Sequence, residues 1–321
     1  MQLPPRLRAA VDRALDGVAP SVLMAAAQRL SDRYRAEIRD GTPHLADERA
    51  ALAYLGSRLP ATYAAIRRSL EAVAEAHPDF APATMLDAGA GPGTALWAAV
   101  DCWPGLNDAF LVESSLAIRS VGAQLLTDSG LSHVWSNDDL MRGLPDEPPR
   151  DLVTLAYVLD ELAPEKRDTL VDRLWQLTAG VLVIVEPGTP AGWQRILRAR
   201  ARLLEAGAVI VAPCPHAKTC PLAEPDWCHF AERVERSRVH RLLKQGDVPW
   251  EDEKFSYLAV THKAVPAKGS RVIAPPHSGS GRVTLKLCQP DGTVARRLVT
   301  RKEGDAFKAA RRCDWGDVFD G

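Results

Sequence analysis

The stretch Leu86-Asp87-Ala88-Gly89-Ala90-Gly91-Pro92-Gly93-Thr94 decides the fold, because it places three glycines at alternate positions. A short apolar segment, 83–86, precedes the glycines, and a helical pattern over 94–100 follows them. Glycine lets a backbone turn tightly and approach a ligand, and a helix N-terminus offers unpaired N–H groups. The stretch therefore predicts a strand, a glycine turn and a helix around a nucleotide-type pocket. A dinucleotide fingerprint would need glycine where the chain has Thr94, which disfavours a nicotinamide oxidoreductase.

This glycine spacing, with Asp87 ahead of it, resembles motif I of class I S-adenosylmethionine-dependent methyltransferases. Further strands are predicted at 108–113, 151–158 and 181–186, in the order that such a fold requires. The alternative is an ordinary tight turn between a strand and a helix. By matching positions, the resemblance implies a cofactor site whose residues are Asp87, Gly89, Gly91, Gly93, Glu113 at the end of the second strand, and Asp138 beside the adenine.

Length and composition agree with a protein of several parts, since 321 residues with 46% hydrophobic side chains can bury a full core. We expect an α/β, Rossmann-like class I methyltransferase fold with a doubly wound sheet. The expected parts are an N-terminal helical subdomain (1–80), the S-adenosylmethionine-binding core (81–212), a cysteine-rich metal-binding insert with a basic helix (213–250), and closing strands with a C-terminal β-hairpin and a basic tail (251–321).

Targeting signals are weak in this sequence. There is no apolar run of membrane-spanning length and no apolar signal segment at the start. Arg6, Arg8 and Arg13 form an amphipathic pattern that could indicate organelle import, but Asp12 and Asp16 interrupt it. We therefore expect a soluble, cytoplasmic protein that does not bind membranes and is a monomer when free.

The net charge of −1 conceals an asymmetry between the two parts of the chain. Residues 191–321 carry a net charge of +8, whereas residues 1–190 carry −9. Solvated helix faces are the alternative for any single basic cluster, but three clusters in one part of the chain favour RNA as the partner. These clusters are Arg195, Arg198, Arg200 and Arg202; Arg233, Arg236, Arg238, His240 and Arg241; and Arg296, Arg297, Arg301, Lys302, Lys308, Arg311 and Arg312.

A cysteine-rich loop follows the predicted helix 193–206. Cys214, Cys220 and Cys228 fall within fifteen residues, in a segment with little that could form a helix or strand. Without a secretory signal, metal ligation is favoured over disulfides. The spacing lacks the paired knuckles of zinc modules, whereas widely spaced thiolates suit an iron–sulfur cluster. The fourth ligand is left open among Cys102, Cys288 and Cys313, with His216, His229 and His240 as nitrogen alternatives.

The methyl acceptor is not identified by the sequence. The segment after the fourth strand, 157–162, has neither the Asn/Asp-Pro-Pro-aromatic pattern of amine methylation nor a Pro-Cys pair for pyrimidine methylation. Asp160 could act as a base, but a helix N-cap or a surface acid before Pro164 explains it equally well. The catalytic residues therefore stay unknown.

Several motifs together resemble the methyltransferase-like small-ribosomal-subunit assembly proteins of bacteria and mitochondria. They are Glu186-Pro-Gly-Thr-Pro190, Cys214-Pro-His, Cys220-Pro-Leu, Asp226-Trp-Cys-His-Phe230 and Glu251-Asp-Glu-Lys-Phe-Ser-Tyr257. By matching positions, the resemblance implies that Cys214, Cys220, Cys228 and Cys288 hold a four-iron four-sulfur cluster. It also implies a small-ribosomal-subunit partner, bound through its rRNA.

Two functions follow from these observations, and both stay open. The first, which the intact glycine loop favours, is an S-adenosylmethionine-dependent rRNA methyltransferase. The second is a non-catalytic assembly factor that uses the same fold as an RNA-binding scaffold. In either case we expect the hairpin of 283–288 and 293–300 to bring Cys288 to the cysteine loop, after a flexible connection at 266–281. The cluster would then fasten the arginines of this hairpin into one RNA-binding surface.

Overall fold

The computed structural model describes residues 1–35, 45, 47–127, 129–266 and 269–321. Its first part is helical, with α1 (Pro5–Leu15), α2 (Pro20–Arg35), α3 (Glu48–Ser57) and α4 (Leu59–Ala76). The Asp47 side chain caps α3 by accepting a hydrogen bond from the Ala50 N–H at 2.8 Å. Pro60 lies in the first turn of α4, where a missing N–H costs nothing, so it marks a helix start.

The centre of the molecule is a mixed sheet of eight strands, called here the core sheet. Its strands are β1 (Thr84–Ala88), β2 (Asp108–Val112), β3 (Ser132–Ser136), β4 (Arg150–Ala156), β5 (Thr178–Pro187), β6 (Val209–Ala212), β7 (Phe230–Glu235) and β8 (Trp250–Thr261). The helices between them are α5 (Thr94–Cys102), α6 (Leu116–Leu126), α7 (Pro164–Gln176), α8 (Pro190–Glu205) and α9 (Arg238–Lys244).

The strand order of the core sheet is β3-β2-β1-β4-β5-β8-β6, and β7 pairs with the first part of β8. Strands β1 to β5 are parallel, whereas β8 runs antiparallel to β5, β6 and β7. This is the doubly wound, Rossmann-like arrangement with an antiparallel strand near one edge, so the predicted fold class is confirmed.

Helices cover both faces of the core sheet, which explains the continuous apolar runs of its strands. Residues 181–185 of β5 are all buried. One apolar cluster joins α1 to α6 with one face of the sheet, and a second joins α7 and α8 with the other face. Both layers bury side chains against the sheet and hold its carboxyl edge, where ligands bind in open α/β folds, in a fixed shape.

A second, antiparallel sheet, called here the C-terminal sheet, is formed by β9 (Ser270–Val272), β10 (His277–Gly279), β11 (Arg282–Cys288), β12 (Val294–Thr300) and β13 (Val318–Phe319). The predicted hairpin is β11 and β12. The flexible connection predicted at 266–281 is wrong for 270–272 and 277–279, which are strands, and residues 267–268 lie outside the described part. A 3₁₀ turn (Arg301–Glu303) and α10 (Asp305–Ala310) follow β12, and Phe307 of α10 covers the inner face of this sheet.

Not one helix in residues 1–35, 47–127, 129–266 and 269–321 is both long enough and apolar enough to cross a bilayer.

Candidate functional site

The glycine loop lies at the carboxyl end of β1. The N–H groups of Gly89 and Ala90 both donate to the carbonyl oxygen of Val112, at 2.9 Å, which ties the loop to β2. All three glycines have positive φ, a conformation that side chains disfavour. A Cβ on Gly89 would lie 2.5 Å from Val158, whereas a Cβ on Gly91 would meet nothing within 4 Å. The loop is therefore packed at its start and open at Gly91, as a cradle for a ligand requires.

Asp87 is the buried carboxylate of this loop, with 2% of its surface exposed. Its Oδ1 accepts a hydrogen bond from the Thr154 hydroxyl at 2.6 Å, while its buried Oδ2 has no partner among the described residues. Burial raises the pKa of Asp87 to about 7, against the hydrogen bond from Thr154 and with the charge of Glu113. A buried carboxylate with one unused oxygen fits a cationic ligand group, such as an ammonium.

Glu113 follows β2 and faces the same loop. Its two carboxylate oxygens accept hydrogen bonds from the N–H groups of Gly91, at 3.0 Å, and Ser115, at 2.8 Å. Burial raises its pKa, although these two hydrogen bonds oppose the shift. Each oxygen keeps a second lone pair, so the fixed carboxylate can still accept from two hydroxyl groups. Asp138 lies beyond the end of β3, exposed, with its N–H donating to the Ser136 hydroxyl at 3.2 Å.

The structure thus places the six predicted cofactor residues at the carboxyl edge of the core sheet. Asp87, Gly91 and Glu113 are joined through the loop, and Asp138 lies one strand farther along the same edge. Thr94 begins α5 directly after Gly93, so the helix N-terminus also points to this edge.

The carboxyl end of β4, at the same edge, carries a tyrosine that contacts a glutamate of β8, a pair that the sequence analysis did not identify. Tyr157 follows β4 with a φ of 60°, and its hydroxyl donates to Glu253 Oε1 at 2.9 Å. Burial raises the pKa of Glu253 and holds the pKa of Tyr157 well above its ordinary value. The two residues are 96 positions apart, so only the strand order could have joined them. Asp160 is not an N-cap, because Ala163 has that position in α7.

Four cysteines line a single cavity between the core sheet and the C-terminal sheet, called here the cysteine cavity: Cys214, Cys220, Cys228 and Cys288. Cys214 follows β6, Cys228 precedes β7, and Cys288 ends β11. The Ser256 hydroxyl of β8 donates to the Cys228 carbonyl at 2.8 Å, which fixes the end of the loop. Burial raises the pKa of the Cys288 thiol to about 12, and that of Cys228 well above its ordinary range, with the neighbouring thiols adding to both shifts.

Two buried arginines share the lining of the cysteine cavity. Arg200 and Arg271 are 5% and 3% exposed. Arg200 donates to the carbonyls of His216, at 2.9 Å, and Lys218, at 2.7 Å, while Arg271 donates to those of Pro213, at 2.9 Å, and Gly316, at 2.6 Å. Within the described ranges neither guanidinium has a carboxylate partner, and Arg200 Nε has no hydrogen-bond acceptor. Buried guanidinium groups without a carboxylate make the cavity electrostatically favourable for an anionic group.

The other candidate ligands have different positions. Cys102 ends α5, where the Arg67 guanidinium lies 2.8 Å from its sulfur, and Cys313 packs against the core of the C-terminal sheet. His216 is at the cavity, with Nε2 3.4 Å from the Cys288 sulfur. His229 stacks on Trp227, and His240 Nε2 lies 3.1 Å from a Glu251 oxygen. Over the described part of the chain, no three Cys, His, Asp or Glu side chains are grouped so as to hold a single metal ion.

The three basic clusters are not equivalent. The arginines of the α8 cluster make their contacts within the protein. Arg195 pairs with Glu186 at 2.5 Å, Arg198 with Asp168 at 2.7 Å, and Arg202 with Asp172. Arg200 donates hydrogen bonds to the cysteine loop. In the second cluster, Arg233 lies in β7, not in a helix, and pairs with Asp252 at 2.8 Å. These pairs neutralise charges that the sequence alone offered to RNA.

The third cluster keeps most of its charge available. In the described part of the C-terminal sheet unit, six exposed cations have no carboxylate partner. They are Arg282, Arg296, Arg301, Lys302, Arg311 and Arg312. Of the remaining cations, Arg297 pairs with Glu303 at 3.5 Å and Lys308 with Asp305 at 2.8 Å. The positive surface is therefore concentrated on the C-terminal sheet unit.

Comparison with known families decides the relationship. Residues 48–320 match the family described as "Mitochondrial small ribosomal subunit Rsm22". The chain belongs to the Rsm22 family. The recognition made from its motifs is thereby confirmed, since the human protein "Ribosome assembly protein METTL17, mitochondrial" is 30% identical over 294 residues, covering 85% of this chain and 63% of that protein.

Other relatives of this Rsm22-family chain extend the comparison. "Rsm22-cox11 tandem protein 2, mitochondrial" of Schizosaccharomyces pombe is 26% identical, covering 88% of this chain and 45% of that protein. The chain thus spans less than two thirds of the length of these relatives. Among solved structures, an O-methyltransferase family protein from Burkholderia thailandensis aligns with a TM-score of 0.45 and 14% identity, over 79% of this chain and 72% of that one.

The expected cytoplasmic location is wrong. The family is described as mitochondrial, and both relatives carry mitochondrial names. The expectation used the absence of an apolar signal and the acids that interrupt Arg6, Arg8 and Arg13. In the structure Arg6, Arg8 and Arg13 lie in α1, a helix packed on the folded protein, so their pattern belongs to the fold and gives no information on the compartment.

Proposed function

We propose that this chain is a small-ribosomal-subunit assembly factor that binds rRNA through its C-terminal sheet unit. The observation that carries the proposal is the set of six exposed, unpaired cations on that unit, beside a cysteine cavity that joins the unit to the methyltransferase fold. Unpaired arginines and lysines on one surface bind phosphates, whereas paired ones have little charge left to offer. The names of the relatives, which refer to ribosome assembly and to the small ribosomal subunit, support the same function.

The cysteine cavity is proposed to hold an iron–sulfur cluster, of the four-iron four-sulfur type. Four thiols line one cavity, which suits a cluster whose corners are reached separately. Four thiolates around such a cluster leave a net negative charge, and Arg200 and Arg271 supply the two buried cations that would balance it. The cluster would act there as a covalent link between the cysteine loop and β11.

The position of Cys288 makes this link relevant to RNA. Cys288 lies directly opposite Arg271 in the pairing of β11 with β9, so the C-terminal sheet presents both residues to the cysteine loop. Apart from these, the loop contacts the sheet through the ion pair of Lys286 with Asp226 and through the Lys218 ammonium, which donates to the Asp291 carbonyl at 2.8 Å. A loaded cavity would therefore fix the orientation of the RNA-binding cations relative to the core sheet.

The experiment compares Cys288→Ser with the wild type after anaerobic purification. Iron content and affinity for small-subunit rRNA are measured on the same samples. We expect the variant to lose iron and RNA affinity together, because the fourth ligand and the link are removed. Cys313→Ser is the matched control, since this thiol lies in the same unit but outside the cavity. Normal RNA binding by an iron-free Cys288→Ser protein would refute the proposed role of the cluster.

A second proposal, methyl transfer to rRNA, is favoured by the cofactor edge of the core sheet. Asp87 offers an unused buried oxygen, the space before Gly91 is open, and Glu113 is fixed with lone pairs available for hydroxyl groups. These features fit S-adenosylmethionine, which would supply the methyl group. The test uses methyl-labelled cofactor and immature small subunits from cells that lack the protein. Label in rRNA would establish an enzyme, and tight subunit binding without label would favour the assembly factor.

A further inference from the structure

The outer face of the C-terminal sheet is covered by the cysteine loop at Cys288 and Lys286, whereas toward Arg282 its side chains form rows across three strands that the loop does not contact through any described ion pair or hydrogen bond. In β11 the side chains of Val283, Leu285 and Leu287 point to the buried inner face, so those of the alternate residues point outward. His277 of β10, Thr284 of β11 and Leu298 of β12 are direct partners in the pairing and form one row on this outer face. We infer that this face binds single-stranded RNA through its bases, an inference that rests on the proposed rRNA-binding function.

The central row has the character of a platform for bases. Leu298 is 53% exposed, and His277 is exposed at the edge of the same row. Leu298 lies on β12, an edge strand that pairs with β11, and it does not contribute to the core of this sheet, which lies on the other face. Nucleobases stack on rings and lie against apolar side chains, and this row offers one of each, His277 and Leu298, on either side of Thr284.

The neighbouring rows carry positive charges that can bind the phosphates of an RNA backbone. On one side of the platform Arg282 lies opposite Thr300 and Gly279, and on the other side Arg296 lies opposite Lys286. Arg282 and Arg296 are exposed and have no carboxylate partner within the described residues. Gly279 has no side chain to cover the neighbouring Arg282, whose side chain a Cβ at this position would meet at 3.3 Å. Arg282 and Arg296 therefore lie on the two sides of the row formed by His277, Thr284 and Leu298.

This order of rows selects single strands over duplexes. In a duplex the bases are stacked inside and the phosphates lie outside, so the central row would contact no base. In a single strand the bases can turn onto the row while phosphates reach the arginines on both sides. Adjacent strands are about 4.8 Å apart, so a row across three strands offers about 10 Å, enough for a base and part of its neighbour.

The experiment uses the full chain with its metal content retained and measures fluorescence anisotropy with a short fluorescein-labelled RNA. The same sequence is offered as a single strand and as a duplex, over a series of potassium chloride concentrations. The variants are His277→Ala with Leu298→Ser, which removes the platform, and Arg282→Gln, which removes a charge. Val134→Ser is the matched control, because Val134 is 55% exposed on an edge strand of the core sheet. Thermal midpoints confirm that each variant is folded.

We expect the wild type to bind the single strand more tightly than the duplex. The platform variant should lose about tenfold in single-strand affinity, with an unchanged salt dependence, since base contacts release no counterions. Arg282→Gln should lower the slope of log affinity against log salt by about 0.7, the value for one phosphate contact with a single strand. Val134→Ser should behave as the wild type.

Three results would overturn the inference, and one of them would also overturn the proposed rRNA-binding function. Equal or tighter binding of the duplex would exclude a base-reading face while leaving the proposed rRNA binding in place. Wild-type affinity of the platform variant would exclude the central row as a contact. Failure of the wild type to bind either RNA would overturn the proposed function together with the inference.

Discussion

Replacing Asp87 by asparagine tests whether the buried Asp87 carboxylate destabilises the folded protein when no cationic ligand is bound. The substitution keeps the shape of the side chain, and its oxygen can still accept from the Thr154 hydroxyl, now 2.6 Å from Oδ1. It removes the buried negative charge. In the wild type that charge has an unused oxygen at Oδ2, so we expect the variant to be more stable at neutral pH when no ligand is present.

The size of the effect follows from the pKa. Burial raises the pKa of Asp87 from an ordinary value of 3.8 to about 7. At pH 4 to 7 the folded state therefore keeps a proton that the unfolded state has released, and stability falls as the pH rises. At about 1.4 kcal/mol per pH unit, the folded wild type loses about 4 kcal/mol between pH 4 and pH 7, an upper bound for this group. Asp87→Asn lacks this loss.

The assay is urea unfolding of both proteins at pH 5 and pH 8, without cofactor. The stability advantage of Asp87→Asn should grow by about 3 kcal/mol from the lower to the higher pH. Glu186, whose pKa burial also raises to about 7, is present in both proteins and cancels in the difference. Asp79→Asn removes an exposed carboxylate and controls for the change in net charge. If the free energies of unfolding of wild type and Asp87→Asn changed equally between pH 5 and pH 8, the Asp87 carboxylate would not destabilise the folded protein and the reasoning would be refuted.

Three further outcomes are expected. Glu251→Gln should cost about 3–5 kcal/mol at pH 7, because it leaves Arg236 and Lys244 without their carboxylate. The loss should shrink below pH 4, since interactions with its neighbours hold the pKa of Glu251 far below its usual range despite burial; an equal loss at all pH values would contradict this. Gly91→Arg should abolish S-adenosylmethionine binding in calorimetry, while the fold loses only about 1–2 kcal/mol for a side chain at positive φ, since its Cβ meets open space. Arg198→Ala should leave RNA affinity unchanged in a binding assay, because Asp168 already neutralises this arginine. A marked loss of affinity would show that α8 contributes to RNA binding.

Much of the core sheet could be predicted because its signals are local. The glycine turn, the apolar runs of β4 and β5 and the hairpin of β11 and β12 each occupy a few consecutive residues. Strand β6 and strand β7 were missed, since each is short and owes its structure to pairing with β8, which comes later in the chain. Strands β9 and β10 have three residues each, in a segment rich in proline and glycine, and are strands only because β11 and β13 pair with them.

The sites show the same division between local and long-range information. The glycine loop and the three cysteines of the loop could be located from the sequence, because each set is contiguous. The buried arginines of the cysteine cavity could not be distinguished from surface arginines, since their burial depends on the packing of α8 and β9 against the loop. Whether Arg198 or Arg296 is available to RNA depends on a carboxylate brought near by the fold, which no local pattern records.

The place of β8 in the core sheet has a consequence for how this chain folds. Strand β8 lies between β5 and β6, both of which precede it in the sequence. During synthesis the first five strands can pair as they emerge, but the edge of β5 stays open until residues 250–261 have been made. Closing the sheet then requires a late insertion over a long chain separation, which is slow and leaves an exposed edge meanwhile. We therefore expect chaperones to meet this protein at the stage when β8 is still missing.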